Sequence, residues 1–217
     1  MITSTGHPLA EPSAHVASGA RIGDGTRVWH QAQVADDVEI GSDCTLGKSC
    51  YVGSGSRVGD NVKIGNHADV FGAQLEDEVM ISSHVVLTED RAPRATRPDG
   101  QRQGLGDWTS TPVIVRRGAT IGAGARIAPG VEIGRYALVG IGAVVLRDVP
   151  AHALVLGNPA RACGWVCRCA GTLDSRLRCP RCARGYKLAA DLLTEIASIS
   201  EPPGGPLPLY RVSRGSP

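Results

Sequence analysis

The sequence predicts an all-β chain, a narrow prism of short parallel strands. Aliphatic residues return at every sixth position, and the residue four places after each is small or β-branched. Gly contributes 28 of the 217 residues, whereas Trp, Tyr and Phe contribute 3, 4 and 1. A core short of aromatics must be filled by small and β-branched side chains. Two inward positions per six residues, one large and one small, suit a thin interior.

The first run of the repeat is Val16, Ile22, Val28, Val34, Ile40, Leu46, Val52, Val58, Ile64 and Val70. It resumes at Leu75, Ile81 and Leu87, and again at Val115, Ile121, Ile127, Ile133, Val139 and Val145. The small partners run from Ala20, Thr26 and Ala32 through Cys44 and Cys50 to Ala143 and Val149. A fixed short period over this length is the signature of a solenoid and outranks local propensity. Two faults interrupt it. Val70 to Leu75 is a step of five, and a polar excursion separates Leu87 from Val115. Long loops of this kind are usually functional. Trp108 within it reads as a local anchor or as a ligand or subunit contact.

The domain reading follows from these breaks. Residues 14–150 form the repeat domain, with the excursion at 88–113. Residues 151–187 form a C-terminal cap with a Cys-rich, zinc-ribbon-like segment. Residues 188–200 are predicted as a short helix with Leu188, Leu192 and Ile196 on one face. Residues 201–217, rich in Pro and Gly, are expected to be a flexible tail.

Composition excludes several classes. The formal charge of +2 gives no basic footprint for nucleic acid. Seven basic groups against Asp174 are concentrated in 161–187, so the rest of the chain is acidic. No apolar run approaches the ~20 residues of a membrane span, so no membrane insertion is expected. Met1-Ile2-Thr3-Ser4 lacks the start of a signal peptide, and a cytoplasmic location is expected. The 7 Cys are then thiols or metal ligands rather than disulfides.

Cys44 and Cys50 occupy small inward positions and read as core. Cys167-x-Cys169 and Cys179-x-x-Cys182 lie beside Gly171 and Pro180 in a segment too small for its own core. Four thiolates on two short loops suit a closed structural zinc site. The C-x-C pair is one residue tighter than usual, so Cys163 is a substitute ligand and free thiols are the alternative. His67 and His84 each lie three residues after an aliphatic, at Ile64 and Ile81. Once the five-residue step is allowed for, they should stack on one edge, one coil apart. There they either reach one substrate or simply face solvent.

The resemblance to a known family rests on three stretches. These are Val28-Trp29-His30 with Gly65-Asn66-His67-Ala68-Asp69-Val70-Phe71, the run 79–94, and 157–167 with its Gly157-Asn158-Pro159-Ala160 turn and Gly164-Trp165 continuation. Over residues 14–187 the chain resembles the hexapeptide-repeat acyltransferases. It is most similar to those that N-acetylate the 3-amino group of UDP-2-acetamido-3-amino-2,3-dideoxy-glucuronate. The resemblance implies a left-handed parallel β-helix of about six 18-residue coils, a homotrimer, acetyl-CoA as acyl donor, and a nucleotide-linked amino sugar bound between subunits. It implies that the pantetheine arm runs along Gly122, Ala123, Gly140, Ile141, Gly142 and Ala143, with Arg147 and Arg161, and with Arg116 or Arg117, meeting phosphates. His84 is then the expected base or donor, oriented by Glu89 or Asp69. Asn66, His67, Arg94, His30 and Trp108 are expected substrate contacts. The chain departs from the family pattern at Glu89, at His84 and in the shortened stretch around Phe71. Alternatives are an acyltransferase for another small acceptor, a metalloenzyme like γ-class carbonic anhydrase using stacked histidines, and a non-catalytic scaffold.

Overall fold

The computed structural model describes residues 6–104, 106–190 and 192–196. Within them each hexapeptide supplies a two-residue strand whose second residue points inward, as at Lys63–Ile64, Asp69–Val70 and Met80–Ile81. Four-residue turns join the strands, and every third strand stacks in parallel register on the one below. Ile64, for example, lies between Leu46 and Ile81.

Three parallel sheets result, here called A, B and C in chain order. Sheet A stacks eight parallel strands from Leu9–Ala10 to Ala153–Leu156, followed by the antiparallel Arg161–Trp165. Sheet B has seven strands, His15–Val16 to Val144–Val145, and sheet C six, Arg21–Ile22 to Glu132–Ile133. The ladder thus runs past 14–150 at both ends and is taller than six coils. Ala10 takes the aliphatic slot at the start, and Val155 closes the stack on Val139.

One continuous core runs up the prism axis from Val28 to Val155. Of the predicted aliphatic series, only Val16 and Ile22 at the open lower end are incompletely buried. Cys44 and Cys50 are buried, as their small inward positions require. The one-residue shortening between Val70 and Leu75 is absorbed in the turn between sheets B and C. Above and below it the rungs remain in register.

The three edges of the prism carry different chemistry. The A-to-B turns form a histidine edge. The B-to-C turns form a loop edge, where the excursion leaves after Leu87 and rejoins before Ile114. The C-to-A turns form an ion-pair edge. On it Arg116 pairs with Glu132 at 2.9 Å and with Glu76 at 2.9 Å, and Arg117 pairs with Glu78. Hydrogen bonds from Arg116 hold the Glu76 and Glu132 carboxyls below the usual carboxylate range. These arginines are ion-paired to acidic groups of neighbouring coils.

The C-terminal segment corrects the expected helix. Gly185–Ala189 and Leu192–Ile196 form an antiparallel hairpin, with Ala190 at φ 46° in the turn. Leu188 and Ile196, two residues of the expected helix face, are exposed, while Tyr186 and Leu193 pack over the cysteines. Alternation across a ribbon buries those two on one side, and a helix at this position would not. Residues 197–200 of the expected helix and the expected tail 201–217 lie outside the described residues.

Candidate active site

The histidine edge is built from equivalent turns stacked in a column. In ascending order they are Trp29-His30-Gln31, Gly47-Lys48-Ser49, Gly65-Asn66-His67, Ser82-Ser83-His84, Gly122-Ala123-Gly124 and Gly140-Ile141-Gly142. The third residue of each turn is left-handed, with φ near 60°: Gln31, Ser49, His67, His84, Gly124 and Gly142. This conformation suits Gly and costs a side-chain-bearing residue about 1 kcal/mol or more. His67 and His84 accept it. Each turn donates to the one below, His67 N–H to Lys48 O (2.9 Å) and His84 N–H to Asn66 O (3.0 Å).

The two imidazoles stack. Their centroids are 5.0 Å apart and their planes differ by 12°. Both residues are exposed. Directly above them the edge loses its side chains and becomes a strip of Gly122, Ala123, Gly124, Gly140 and Gly142, interrupted by Ile141, which is 83% exposed. A side chain at Gly122 would sit 2.7 Å from the backbone of Gly140. The glycine is therefore required by coil stacking itself. Over the top of the strip lies the turn 157–160, tied to sheet B by Val144 N–H to Gly157 O and Ala160 N–H to Val144 O, with a cis bond at Asn158–Pro159. Arg161 begins the next strand there and is exposed.

The other expected site residues are divided among the core, the loop edge and the histidine edge. Ala143 faces the core and is fully buried, so its side chain meets no ligand. Arg147 lies in a B-to-C turn on the loop edge, away from the glycine strip. Asn66 is turned to a structural task, its Oδ1 accepting the Lys48 N–H at 2.8 Å. Asp60 and Asp77 serve the coils beneath them in the same way on the ion-pair edge. His30 sits low on the histidine edge, with Nδ1 3.1 Å from Ser13 Oγ and Nε2 3.7 Å from Glu11.

Glu89 does not orient His84 within one chain. Five residues of near-extended chain, about 16 Å, separate them. Its carboxylate instead accepts the Ser110 hydroxyl at 2.7 Å, and its carbonyl accepts the Thr111 N–H at 2.8 Å. It pins the root of the excursion. Asp69 stays near the histidines, on the outer face of sheet B in register with Val86, two residues past His84. Arg94 is exposed on the excursion and donates to the Pro93 carbonyl, and Trp108 is half-buried there. The excursion itself folds back through a bridge between Thr96 and Arg102 around Gly100. Sequence reasoning missed Arg126, whose Nη1 donates to the carbonyls of His84 (2.8 Å) and Gly124 (2.7 Å). Sorting residues by coil instead of by hexapeptide would have placed it beside His84.

Among the described residues, a concavity of about 580 Å³ lies on the ion-pair edge among Glu76, Arg116, Glu132 and Arg135. It is a crevice between salt-bridged side chains. The histidine edge is convex in one chain, so a pocket there needs a second wall.

Four sulfurs converge in the cap. The Sγ atoms of Cys167, Cys169, Cys179 and Cys182 all lie within 4.8 Å of one another, with Cys167–Cys182 at 3.4 Å and Cys169 at 3.5 Å from Cys179 and Cys182. Tetrahedral Zn–S bonds of about 2.3 Å require sulfurs about 3.8 Å apart. The donor set fits a divalent metal such as zinc. A side chain at Gly171 would meet Cys179 Sγ at 2.9 Å. Outer groups are in place as well: Tyr186 Oη donates to Cys167 Sγ and Arg184 Nη1 to Cys182 Sγ, each at 3.1 Å. Cys163 is exposed on the strand Arg161–Trp165 and stands outside the cluster.

With its stacked two-residue strands, the described chain is a hexapeptide-repeat parallel β-helix. Residues 37–68 match the family described as bacterial transferase hexapeptide (six repeats), and residues 111–147 match the hexapeptide repeat of succinyl-transferase. The chain is similar to the dTDP-3-amino-3,6-dideoxy-alpha-D-galactopyranose 3-N-acetyltransferase of Aneurinibacillus thermoaerophilus, 45% identical over 86 residues, covering 38% of this chain and 44% of that protein. It is similar to the serine acetyltransferase of Escherichia coli (strain K12), 50% identical over 50 residues, 23% of this chain and 18% of that one. The chain thus spans less than half the length of these curated relatives. The crystal structure of a mutant of AntD, an N-acyltransferase from Bacillus cereus, in complex with dTDP and coenzyme A, shares the fold. Its TM-score is 0.53 and its identity 19%, over 73% of this chain and 83% of that one. No helix among the described residues is long and apolar enough to cross a membrane.

Proposed function

We propose that the chain is an acetyl-CoA-dependent N-acetyltransferase acting on the amino group of a nucleotide-linked amino sugar, a 3-amino sugar first among the candidates. The observation that carries this reading is the single edge on which the stacked imidazoles of His67 and His84 adjoin a strip with few side chains. An extended thioester arm lies along such a strip, reaching backbone groups, and brings its carbonyl to the imidazoles. The likeness to a dTDP-3-amino-sugar N-acetyltransferase supports the acceptor class.

In this reading the acceptor nitrogen attacks the thioester carbonyl carbon. The C–N bond forms as the C–S bond breaks, and coenzyme A leaves as the thiolate. His84, with Asp69 nearby on sheet B, takes the proton that the attacking nitrogen sheds and returns it to the departing sulfur. His67 stacks beneath and fixes the ring plane. Arg94 and Trp108 contact the nucleotide sugar, and Arg161 meets phosphate at the top of the strip.

The loop edge and the histidine edge are different edges of one prism. A site that uses both draws them from two copies, and a ring of three copies lets each give one edge and receive the other. The assembly is a homotrimer with three intersubunit sites. A cytoplasmic location goes with the proposed co-substrates. Cys167, Cys169, Cys179 and Cys182 hold a structural zinc, which folds the cap and takes no part in the transfer.

The test is thiol release from acetyl-CoA with a panel of UDP- and dTDP-linked 3-amino and 4-amino sugars. Turnover of one 3-amino sugar, lost in His84→Ala, is the expected result. Acetyl-CoA binding without turnover on any sugar would redirect the search to another acceptor, and no acetyl-CoA binding would overturn the reading.

A further inference from the structure

Arg126 stands beside the stacked pair on the outer face of sheet B, in register with Val86 below and Val144 above. One nitrogen, Nη1, gathers three carbonyls, those of His84 (2.8 Å), Gly124 (2.7 Å) and Ala125 (3.3 Å). The His84 carbonyl belongs to a left-handed residue with φ 60°. Pinning that carbonyl fixes ψ of His84, and with it the direction in which the side chain leaves the edge. The equivalent position one coil lower, where it would serve His67, is occupied by Val86. His84 therefore has a clamp that its stacking partner lacks.

The fold supplies an internal control. On the loop edge Arg57 Nη1 likewise gathers the carbonyls of left-handed Asp37 (2.7 Å) and of Ser56 (3.1 Å). The rest of that guanidinium is neutralised by Asp37 Oδ1 at 3.1 Å and Glu39 at 3.5 Å. Arg57 marks what the motif does for stability alone. Arg126 makes no ion pair among the described residues and keeps its charge at the histidine edge.

We propose that Arg126 is the positioning residue of the histidine edge, holding the His84 imidazole in its stack on His67. Its catalytic consequence rests on the acyltransferase reading, whereas its geometric consequence does not. The experiment compares Arg126→Gln, Arg126→Lys and Arg57→Gln in the full chain. The readouts are the NMR contact between the His67 and His84 rings, and kcat and KM for acetyl-CoA with the accepted amino sugar.

Arg126→Gln should lose the inter-ring contact and lower kcat tenfold to a hundredfold, since an error of about 1 Å at a reacting group costs about that much. Its KM for acetyl-CoA should stay within about twofold. Arg126→Lys, still able to donate to the same carbonyls, should recover part of both, and Arg57→Gln should change neither. Wild-type kcat in Arg126→Gln, with or without the ring contact, overturns the proposal, as does an equal kcat loss in Arg57→Gln. If the wild-type chain turns over no amino sugar, the acyltransferase reading fails. The ring contact then decides alone: its loss in Arg126→Gln supports the clamp and its persistence refutes it.

Discussion

Gly65→Ala should unstack the two histidines from below. Gly65 opens the turn that ends in His67, and a methyl placed there would lie 2.5 Å from Ser83 N and 2.6 Å from Ser82 C. Both atoms are backbone of the turn that carries His84, so no side-chain rotation relieves the contact. Restoring a van der Waals separation of about 3.5 Å requires the upper turn to rise by about 1 Å. The bonds from Gly65 N–H to Ile81 O (2.7 Å) and from His84 N–H to Asn66 O (3.0 Å) would stretch past useful length. Two hydrogen bonds at about 1 kcal/mol each, plus overpacking of about 1–2 kcal/mol, give a loss of about 3–4 kcal/mol. For a chain of this size that lowers Tm by about 6–16 °C. The same displacement separates the imidazoles and should cut kcat about a hundredfold. The control is Gly41→Ala on the ion-pair edge, where the methyl meets Gly59 C at 2.7 Å. Calorimetry and thiol-release kinetics on both variants decide the matter. Gly41→Ala should lose stability and keep kcat. A Gly65→Ala protein with wild-type Tm would refute the packing argument, and equal kcat losses in the two variants would refute the link to the histidines.

Three further outcomes are expected. Metal analysis of the purified chain should find about one zinc per chain, and Cys179→Ser should lose it and lower Tm, whereas Cys163→Ser, outside the cluster, should do neither. Arg116→Gln should be less stable than wild type at pH 7. Because Glu76 and Glu132 have depressed carboxyl pKa values in the folded state, their contribution is present above the usual Glu value of about 4.3 and is lost as pH falls through the folded values. The difference in Tm between the two proteins should therefore shrink below about pH 4. Glu89→Gln should loosen the root of the excursion, so limited proteolysis within 88–113 should accelerate while Tm of the solenoid changes little.

The repeat was legible because each aliphatic has one permitted direction, inward, and the period of six leaves it there at Ile64, Ile81 and Ile121 alike. The stacking of His67 on His84 was legible for the same reason, once the five-residue step was counted. What a period of six cannot distinguish is the edge. Every third turn shares an edge, so Arg147, two residues after Val145, reads like Ala123, two residues after Ile121, unless residues are sorted by whole coils. Close approach of backbones was also hidden. For Asn66 the sequence shows a candidate contact and not that its Oδ1 also accepts the Lys48 N–H beneath it. In the cap the four cysteines converge as their spacing implies, whereas the last element is a ribbon and not the expected helix. The spacing of Leu188, Leu192 and Ile196 satisfies a helix, but the buried pair Tyr186 and Leu193 satisfies a ribbon, and anchorage of Tyr186 to Cys167 favours the ribbon.

The two departures from the family pattern on the loop side are one device. Removing a residue from the turn between Val70 and Leu75 leaves Gly72 left-handed at φ 52°, directly against Glu89. A side chain at Gly72 would sit 2.5 Å from the Glu89 carboxylate and 3.1 Å from Ser110 Oγ. Two coils above Gly72, on the other side of the excursion, Gly130 leaves matching room for Arg91 and donates its N–H to Thr111 O at 3.0 Å. The excursion thus leaves and re-enters the prism at a single point, between two glycines, with Glu89 bridging its strands. A residue so employed is fixed by the loop it anchors. Arg94 and Trp108 lie on the excursion that this root holds, and in the proposed trimer they would face the histidine edge of a neighbouring copy. The family departure at Glu89 therefore goes with the rooting of the loop, while His84 stands exposed on the histidine edge, where the proposed reaction would use it.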